Sequence, residues 1–232
     1  MLTLTGALLD PLLRDNPAGP RITYYDDATG ERVELSTATL ANWAAKTANL
    51  LRDELGAGPG TRVGVLLPAH WQTAAVLLGI WWIGAEAVLD SSDDVTFCTR
   101  DRLDDAGMGE VAVLSLDAFG KGYDDLPVGV TDYATAVRVH GDQVVPERNP
   151  GPALEGRSVD DVLDEARSEL SATDRVWSSL GWSTAPELIA NLVAVFAAGA
   201  SLVQVAHPDA TLRERRMATE KVTQSLDLFS GH

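Results

Sequence analysis

Twice along this chain a strand-like run gives way to a longer apolar segment, then to Gly-Ala, then to a second strand-like run. The first unit comprises Arg62–Leu67 closed by Pro68, a segment from about Trp71 to Ile83, Gly84-Ala85, and Glu86–Leu89. The second comprises Asp174–Leu180, Pro186–Ala198, Gly199-Ala200, and Ser201–Val205. Arg62–Leu67, short and continuously apolar, reads as a strand buried on both faces, as in a parallel sheet, and the other runs are strand candidates. Parallel neighbours need a crossover, here a helix, and such crossovers are right-handed. Pro186 sits at a helix start, where its missing N–H does no harm. Two strand–helix–strand units restrict the fold to α/β, with mainly parallel sheets flanked by helices.

The remaining segments fill in around these units. Residues 1–20 read as a short helix and then a loop rich in Pro and Gly. Arg21–Tyr25 and Glu31–Leu35 flank the turn chemistry of Asp26-Asp27-Ala28-Thr29-Gly30, which predicts a hairpin. Ser36 is a good N-cap for a helix whose Leu40, Trp43, Ala44, Thr47, Ala48, Leu51 and Leu55 share one face. Gly56 to Gly60 ends it. Strands are expected at Asp94–Cys98 and Val111–Leu114, around a short helix at Arg100–Ala106. Lys121–Asn149 reads as loop with a short strand at Ala136–Val139. Ser158 should cap a helix reaching Glu169, with Asp161 at its third position, and Leu212–Glu220 reads as a charged helix. The segment from Gln224 to His232 is expected to fray.

Charge and composition exclude several functions. Lys plus Arg number 18 and Asp plus Glu 34, for a net charge of −16. Long-range repulsion therefore disfavours nucleic acid and anionic lipid, although a local basic pocket would escape that argument. Cys98 is the one cysteine and has no internal disulfide partner, which points to a reducing, cytoplasmic setting. The first residues lack the basic stretch of a signal peptide. Thr73–Ala85 is too short to span a bilayer, and Leu188–Ala206 is interrupted by Asn191, Ser201 and Gln204, so both read as core and no membrane is expected.

No familiar catalytic motif is present. The only Gly-Lys, Gly120-Lys121, is followed by Gly122 and fails as a phosphate-binding loop, and Gly56–Gly60 precedes a strand where a dinucleotide loop would follow one. His70, His140, His207 and His232 show no metal-ligand spacing, and the pairs Asp93-Asp94, Asp104-Asp105 and Asp124-Asp125 read as solvated loops. No Gly-x-Ser-x-Gly elbow occurs, and Cys98 has no nearby His, so no catalytic residue and no metal site is assigned. Trp71, Trp81 and Trp82 lie in the first crossover helix and serve either core packing or a subunit interface. Trp182 lies just past a strand's carboxyl end in Gly181-Trp182-Ser183-Thr184-Ala185, where ligands bind in open α/β sheets. Ser183 and Thr184 either cap the next helix or face a ligand at its N-terminus. Trp182, Ser183 and Thr184 are the candidate ligand-binding residues.

These segments together resemble the opening of the adenylate-forming (AMP-binding) enzymes, which include acyl-CoA synthetases, luciferases and non-ribosomal peptide adenylation domains. The resemblance rests on the hairpin, Ser36-Thr37-Ala38-Thr39-Leu40, the run Gly58-Pro59-Gly60-Thr61-Arg62-Val63 through Pro68, and Gly84-Ala85. Thr39 stands for the family's usual Glu and Thr61 for its Asp. Asp174-Arg175-Val176 through Gly181-Trp182-Ser183-Thr184, then Ala198-Gly199-Ala200, resembles the region after that family's phosphate loop. The Gly-Trp-x-Thr form is most similar to acetyl-CoA-synthetase relatives, which implies that Trp182 and Thr184 lie near an acyl pocket. Lys221-Val222-Thr223 is similar to the edge of the next family strand, and only three lysines in the chain suit a truncated actinobacterial relative.

The resemblance implies two α/β lobes: an N-terminal helix and loop (1–19), a hairpin and helix packing with the second lobe (20–56), a first lobe (57–150) and a second lobe (151–232). It also locates the departures. The Thr-Ser-Gly-Thr-Thr-Gly-x-Pro-Lys phosphate loop should fall near 145–160, where the chain reads Pro146-Glu147-Arg148-Asn149-Pro150-Gly151-Pro152-Ala153-Leu154-Glu155-Gly156-Arg157. The sequence stops short of the adenine- and ribose-binding motifs and of the small domain with the catalytic Lys. Adenylyl transfer depends on positioned charge, so the expectation is a non-catalytic chain with a ligand-binding, regulatory or scaffold role. The alternatives are an enzyme completed by a protein partner or retaining a site for AMP, ATP or CoA, and a structural homo-oligomer.

Overall fold

The computed structural model describes residues 2–227. In chain order it comprises α1 (Leu4–Asp15), β1 (Pro20–Asp26), β2 (Glu31–Ser36), α2 (Thr37–Asp53), β3 (Arg62–Leu66), α3 (Trp71–Trp82), β4 (Glu86–Val88), β5 (Val95–Thr99), β6 (Glu110–Leu114) and β7 (Val130–Asp132). There follow α4 (Tyr133–Ala136), α5 (Val159–Glu165), β8 (Arg175–Ser178), α6 (Ala185–Leu188), α7 (Ala194–Ala197), β9 (Ser201–Ala206), α8 (Ala210–Thr219) and β10 (Gln224–Ser225).

The strands form two five-stranded sheets. The first has the order β10-β8-β9-β1-β2 and is parallel except for the β1–β2 hairpin. The second, β4-β3-β5-β6-β7, is parallel throughout. The expected α/β architecture of parallel sheets flanked by helices is what the chain adopts. Residue register explains the burial of the first sheet. Ile22, Tyr24, Leu202 and Val176 point to the main core, while Tyr25, Val203, Val205 and Trp177 form a smaller cluster on the opposite face with Met217 of α8.

Helix α3 is apolar all round because it is enclosed all round. Every one of its residues is buried, and α1 and α2 pack against it. Gly79 allows the approach of α2: a Cβ there would sit 2.9 Å from the Thr47 Cβ and 3.0 Å from the Ala44 carbonyl. Trp71 meets Trp43 edge-on at 5.5 Å, and the Trp81 indole N–H donates to the Ala153 carbonyl at 2.8 Å. Trp71, Trp81 and Trp82 are thus spent inside one chain, which is the packing reading and leaves no face of α3 for a subunit interface.

Several local expectations need correction. The strand expected at Ala136–Val139 is helical: Asp132 caps α4 through the Thr135 N–H, and the turn continues as a 3₁₀ segment, Val137–Val139. The strand lies earlier, at β7, where Val130–Asp132 pair with Val111–Val113. The segment Arg100–Asp105 is 3₁₀ rather than α. Helix α5 has the predicted Ser158–Asp161 capping box but stops at Glu165. α6 and α7 run on through a π turn at Ile189–Val193. Gln224–Ser225 do not fray but pair with Val176 and Trp177; residues 228–232 lie outside the described residues. Among the described residues, no helix is long and apolar enough to cross a membrane.

Candidate functional site

Both sheets turn carboxyl ends of parallel strands toward one cleft of about 890 Å³. Its lining comes from the end of β1 and the hairpin turn, the β3–α3 loop at Pro68–His70, the loop Ser115–Phe119 after β6, Ser179–Gly181 after β8, and Gln204–His207 at the end of β9. This is the end of an α/β sheet at which ligands bind, because the loops there diverge while the strands hold them in place.

His70 anchors one wall. It caps α3, its Nδ1 accepting the Gln72 N–H at 3.1 Å, so the ring proton resides on Nε2. Nε2 faces the Glu31 carboxylate at 4.0 Å, and the ring packs edge-on against Tyr24 at 4.2 Å. Burial pushes the imidazole down to about 3, so His70 is neutral. The Gln72 side chain reaches across to the Asp117 carbonyl at 3.1 Å and holds the loop after β6 in place.

The opposite wall is acidic. Glu31 is raised above the ordinary carboxylate range by burial, then by the neighbouring charges of Asp26 and Asp117. Burial also raises the Tyr24 phenol, with Asp26 and Glu31 adding to it. Asp26 is also penalised by burial, but hydrogen bonds from His207 and from the Ala28 amide outweigh that and hold it low. Asp117 is held low by the amides of Lys121 and Phe119. Two lining residues other than Gly, Leu116 and His207, have positive φ, 56° and 48°. Such conformations cost about 1 kcal/mol or more each and cluster at functional sites.

Of the residues singled out from the sequence, none of Trp182, Ser183 and Thr184 lines this cleft, although Gly181 does. Trp182 is buried in the main core. Thr184 forms a capping box with Glu187, whose carboxylate also accepts the Ser183 N–H at 3.0 Å. The residues that do meet in the cleft, Tyr24, Asp26, Glu31, His70, Asp117, Gln204 and His207, come from five separate segments. The available signal was positional: Asp26, His70 and His207 each stand at or just past the carboxyl end of a strand. Cys98 is buried, its thiol pushed up to about 11 chiefly by burial. Among the described residues, no three His, Cys, Asp or Glu side chains converge as metal ligands.

The cleft does not fit a nucleoside triphosphate. Among the described residues, Arg32 is the one Arg or Lys in the lining, and its guanidinium is engaged by Glu220 at 2.9 Å and Glu34 at 3.0 Å. Three carboxylates without a free cation oppose phosphate. Within 145–160, the stretch where the resemblance led to the expectation of a phosphate loop, the chain makes a tight hairpin. Leu154 bridges Arg157 across Glu155 and Gly156, with φ of 47° and 78°. The turn is bounded by carboxylates: Glu155 accepts the Leu89 N–H, and Glu86 accepts the Gly156 N–H.

Comparison with known proteins agrees with the fold. A family model described as AMP-binding enzyme matches residues 14–94. An acyl-CoA synthetase from Brucella canis superposes with a TM-score of 0.79 at 16% identity, over 97% of this chain and 47% of its own. The N-terminal domain of FACL13 from Mycobacterium tuberculosis gives 0.68 at 18%, over 97% and 62%. A benzoate CoA ligase from Burkholderia xenovorans LB400 gives 0.73 at 15%, over 97% and 50%. The chain therefore spans about half to three fifths of these solved proteins. A TIGR03089 family protein of Mycobacterium tuberculosis is 64% identical, over 97% of this chain and 98% of its own length. The fold is that of acyl-CoA synthetases and their N-terminal domains, with an AMP-binding enzyme model matched over part of the chain, and by the 64% identical relative the chain belongs to the TIGR03089 family.

Proposed function

We propose that this chain is a cytoplasmic small-molecule-binding protein that does not form adenylates by itself, and that it acts in a regulatory or scaffolding role. One observation carries the reading. A cleft lies at the strand ends, while the stretch expected to hold a phosphate loop makes a two-residue turn whose neighbouring backbone N–H groups are taken by Glu86 and Glu155. Positioned positive charge is the main catalytic resource of phosphoryl and adenylyl chemistry, and the guanidiniums nearest the two locations, Arg32 at the cleft and Arg157 at the turn, are each engaged by carboxylates, Glu34 and Glu220 for the first and Glu165 for the second.

The test has two arms on the purified chain. ATP–pyrophosphate exchange with a panel of carboxylates should stay at background; exchange above background overturns the non-adenylating reading. Thermal-shift screening across small molecules of mixed charge, including Mg-ATP, AMP, CoA and acetyl-CoA, should find a saturable ligand. Its binding should be lost in Ala118→Trp, which fills the cleft from a loop. If no compound of any class stabilises the protein, the binding reading falls.

A second reading, completion of an enzyme site by a protein partner, draws on the chain's spanning only 47% of the solved Brucella acyl-CoA synthetase. Exchange activity that appears only with a co-purifying chain would favour it.

A further inference from the structure

The chemistry of the cleft is opposite to that of a site for nucleotides or acyl carboxylates. Asp26, Glu31 and Asp117 bring three carboxylates to its lining, while the one guanidinium there is already paired. An acidic cluster alone is commonplace on a chain with a charge of −16. The second feature is Gln204.

Gln204 is 1% exposed, sits on β9 and pairs in register with Tyr24 of β1, so both side chains stand on the face of the sheet that turns to the cleft. Its amide nitrogen donates to the Leu180 carbonyl at 3.0 Å, which fixes the orientation of the amide. That leaves Oε1, on a residue that lines the cleft, as a buried acceptor with no hydrogen-bond partner. The Glu31 Oε1 is likewise buried and unpartnered. A buried acceptor left without a donor costs about 1–3 kcal/mol, so such groups mark where a partner belongs. Both lone groups accept, and neither donates. Their partner must bring N–H donors, and the surrounding carboxylates require it to be positive.

We infer that the cleft binds an organic cation bearing a primary ammonium group, seated between Glu31 Oε1 and Gln204 Oε1 with its hydrocarbon portion against Ala69 and Leu180. This rests on the small-molecule-binding reading above and names the ligand class for that site. An ammonium carries three donors and no acceptor, which matches the two open acceptors and the net negative lining. A phosphate or carboxylate ligand would meet only repulsion there. Ligand charge also relieves the mutual repulsion of Glu31, Asp26 and Asp117, which supplies a second source of affinity.

The experiment is calorimetric titration of the whole chain with matched triples, the amine, alcohol and carboxylate of the same linear and benzyl skeletons, alongside AMP and CoA. Amines should bind, and their affinity should fall about tenfold in Glu31→Gln, which removes the charge from one charge-assisted hydrogen bond without changing shape. Gln204→Met should weaken them similarly; if that buried variant fails to fold, Glu31→Gln carries the test. Binding of the alcohols, carboxylates, AMP or CoA as tightly as the amines overturns the inference and leaves the binding reading standing. Amine binding unchanged in Glu31→Gln also overturns it. Failure of every probe overturns both.

Discussion

Replacing His70 by Asn should remove most of the acid sensitivity of this fold above the carboxylate range. The imidazole is 2% exposed and burial lowers its pKa to about 3, whereas in the unfolded chain it returns to about 6.5. The unfolded state therefore takes up a proton first as the pH falls, and every such proton favours unfolding. The stability from keeping His70 neutral is intact above the unfolded pKa and is lost progressively below it. Over the fall from pH 7 to pH 5 the linkage amounts to about 2 kcal/mol, and to about 3 kcal/mol by pH 4. Asn preserves the cap, since its side-chain oxygen can accept the Gln72 N–H as Nδ1 does, but it cannot titrate. Urea denaturation of both proteins at constant ionic strength isolates the effect, because carboxylate contributions are common to the two. The wild type should lose about 2 kcal/mol more than His70→Asn between pH 7 and pH 5. Equal losses would refute the reasoning, and would mean that Glu31, 4.0 Å from Nε2, stabilises the imidazolium enough to cancel the cost of its burial.

Other substitutions test the packing and the caps. Trp81→Phe removes the indole bond to Ala153 and leaves a void in a fully buried helix; a loss of about 2 kcal/mol in chemical denaturation is expected. Gly156→Ala and Gly64→Ala should differ in cause and size. The first costs about 1 kcal/mol through its positive φ alone, since no atom lies within 4 Å of the new Cβ. The second places a Cβ 2.6 Å from the Asp90 carbonyl and should cost about 3 kcal/mol. Thr184→Ala should cost about 1 kcal/mol as a lost helix cap and leave ligand affinity unchanged; a change in affinity at unchanged stability would restore Thr184 to the binding site.

The two strand–helix–strand units were legible because their signals are local. Val63–Leu67 is an unbroken apolar run stopped by Pro68, Gly84-Ala85 ends the crossover helix, and Asp26 to Gly30 is turn chemistry between alternating strands. β7 was not legible because three half-buried residues at a sheet edge carry no period, and its pairing with β6 is decided by tertiary contact. The π turn at Ile189–Val193 lies in an apolar stretch whose composition does not distinguish it from an α-helix. The site was harder still. The carboxyl end of β8 does lead to Gly181 on the cleft lining, but the chain turns there and carries Trp182 inward to the core. Glu31, His70, Asp117 and Gln204 have no common spacing; only the adjacency of the two sheets assembles them. Gln204, read as one of the polar residues that keep Leu188–Ala206 from being a membrane span, is a buried acceptor on the cleft.

The order of the first sheet has a consequence for how the chain is made. Ile22 to Asp26 pair on one side with the neighbouring hairpin strand and on the other with Leu202 to Ala206. A lone two-stranded hairpin is marginal in water, and its free side is an open edge able to recruit a foreign strand. During synthesis the second sheet has all its strands once Asp132 has emerged, whereas β1 must wait for β9. Contacts of such long range are slow to close, and an edge kept waiting is exposed to mispairing. The hairpin that forms one wall of the cleft is thus translated well before the strand that locks it, so the cleft comes into being only after Leu202 to Ala206 have left the ribosome.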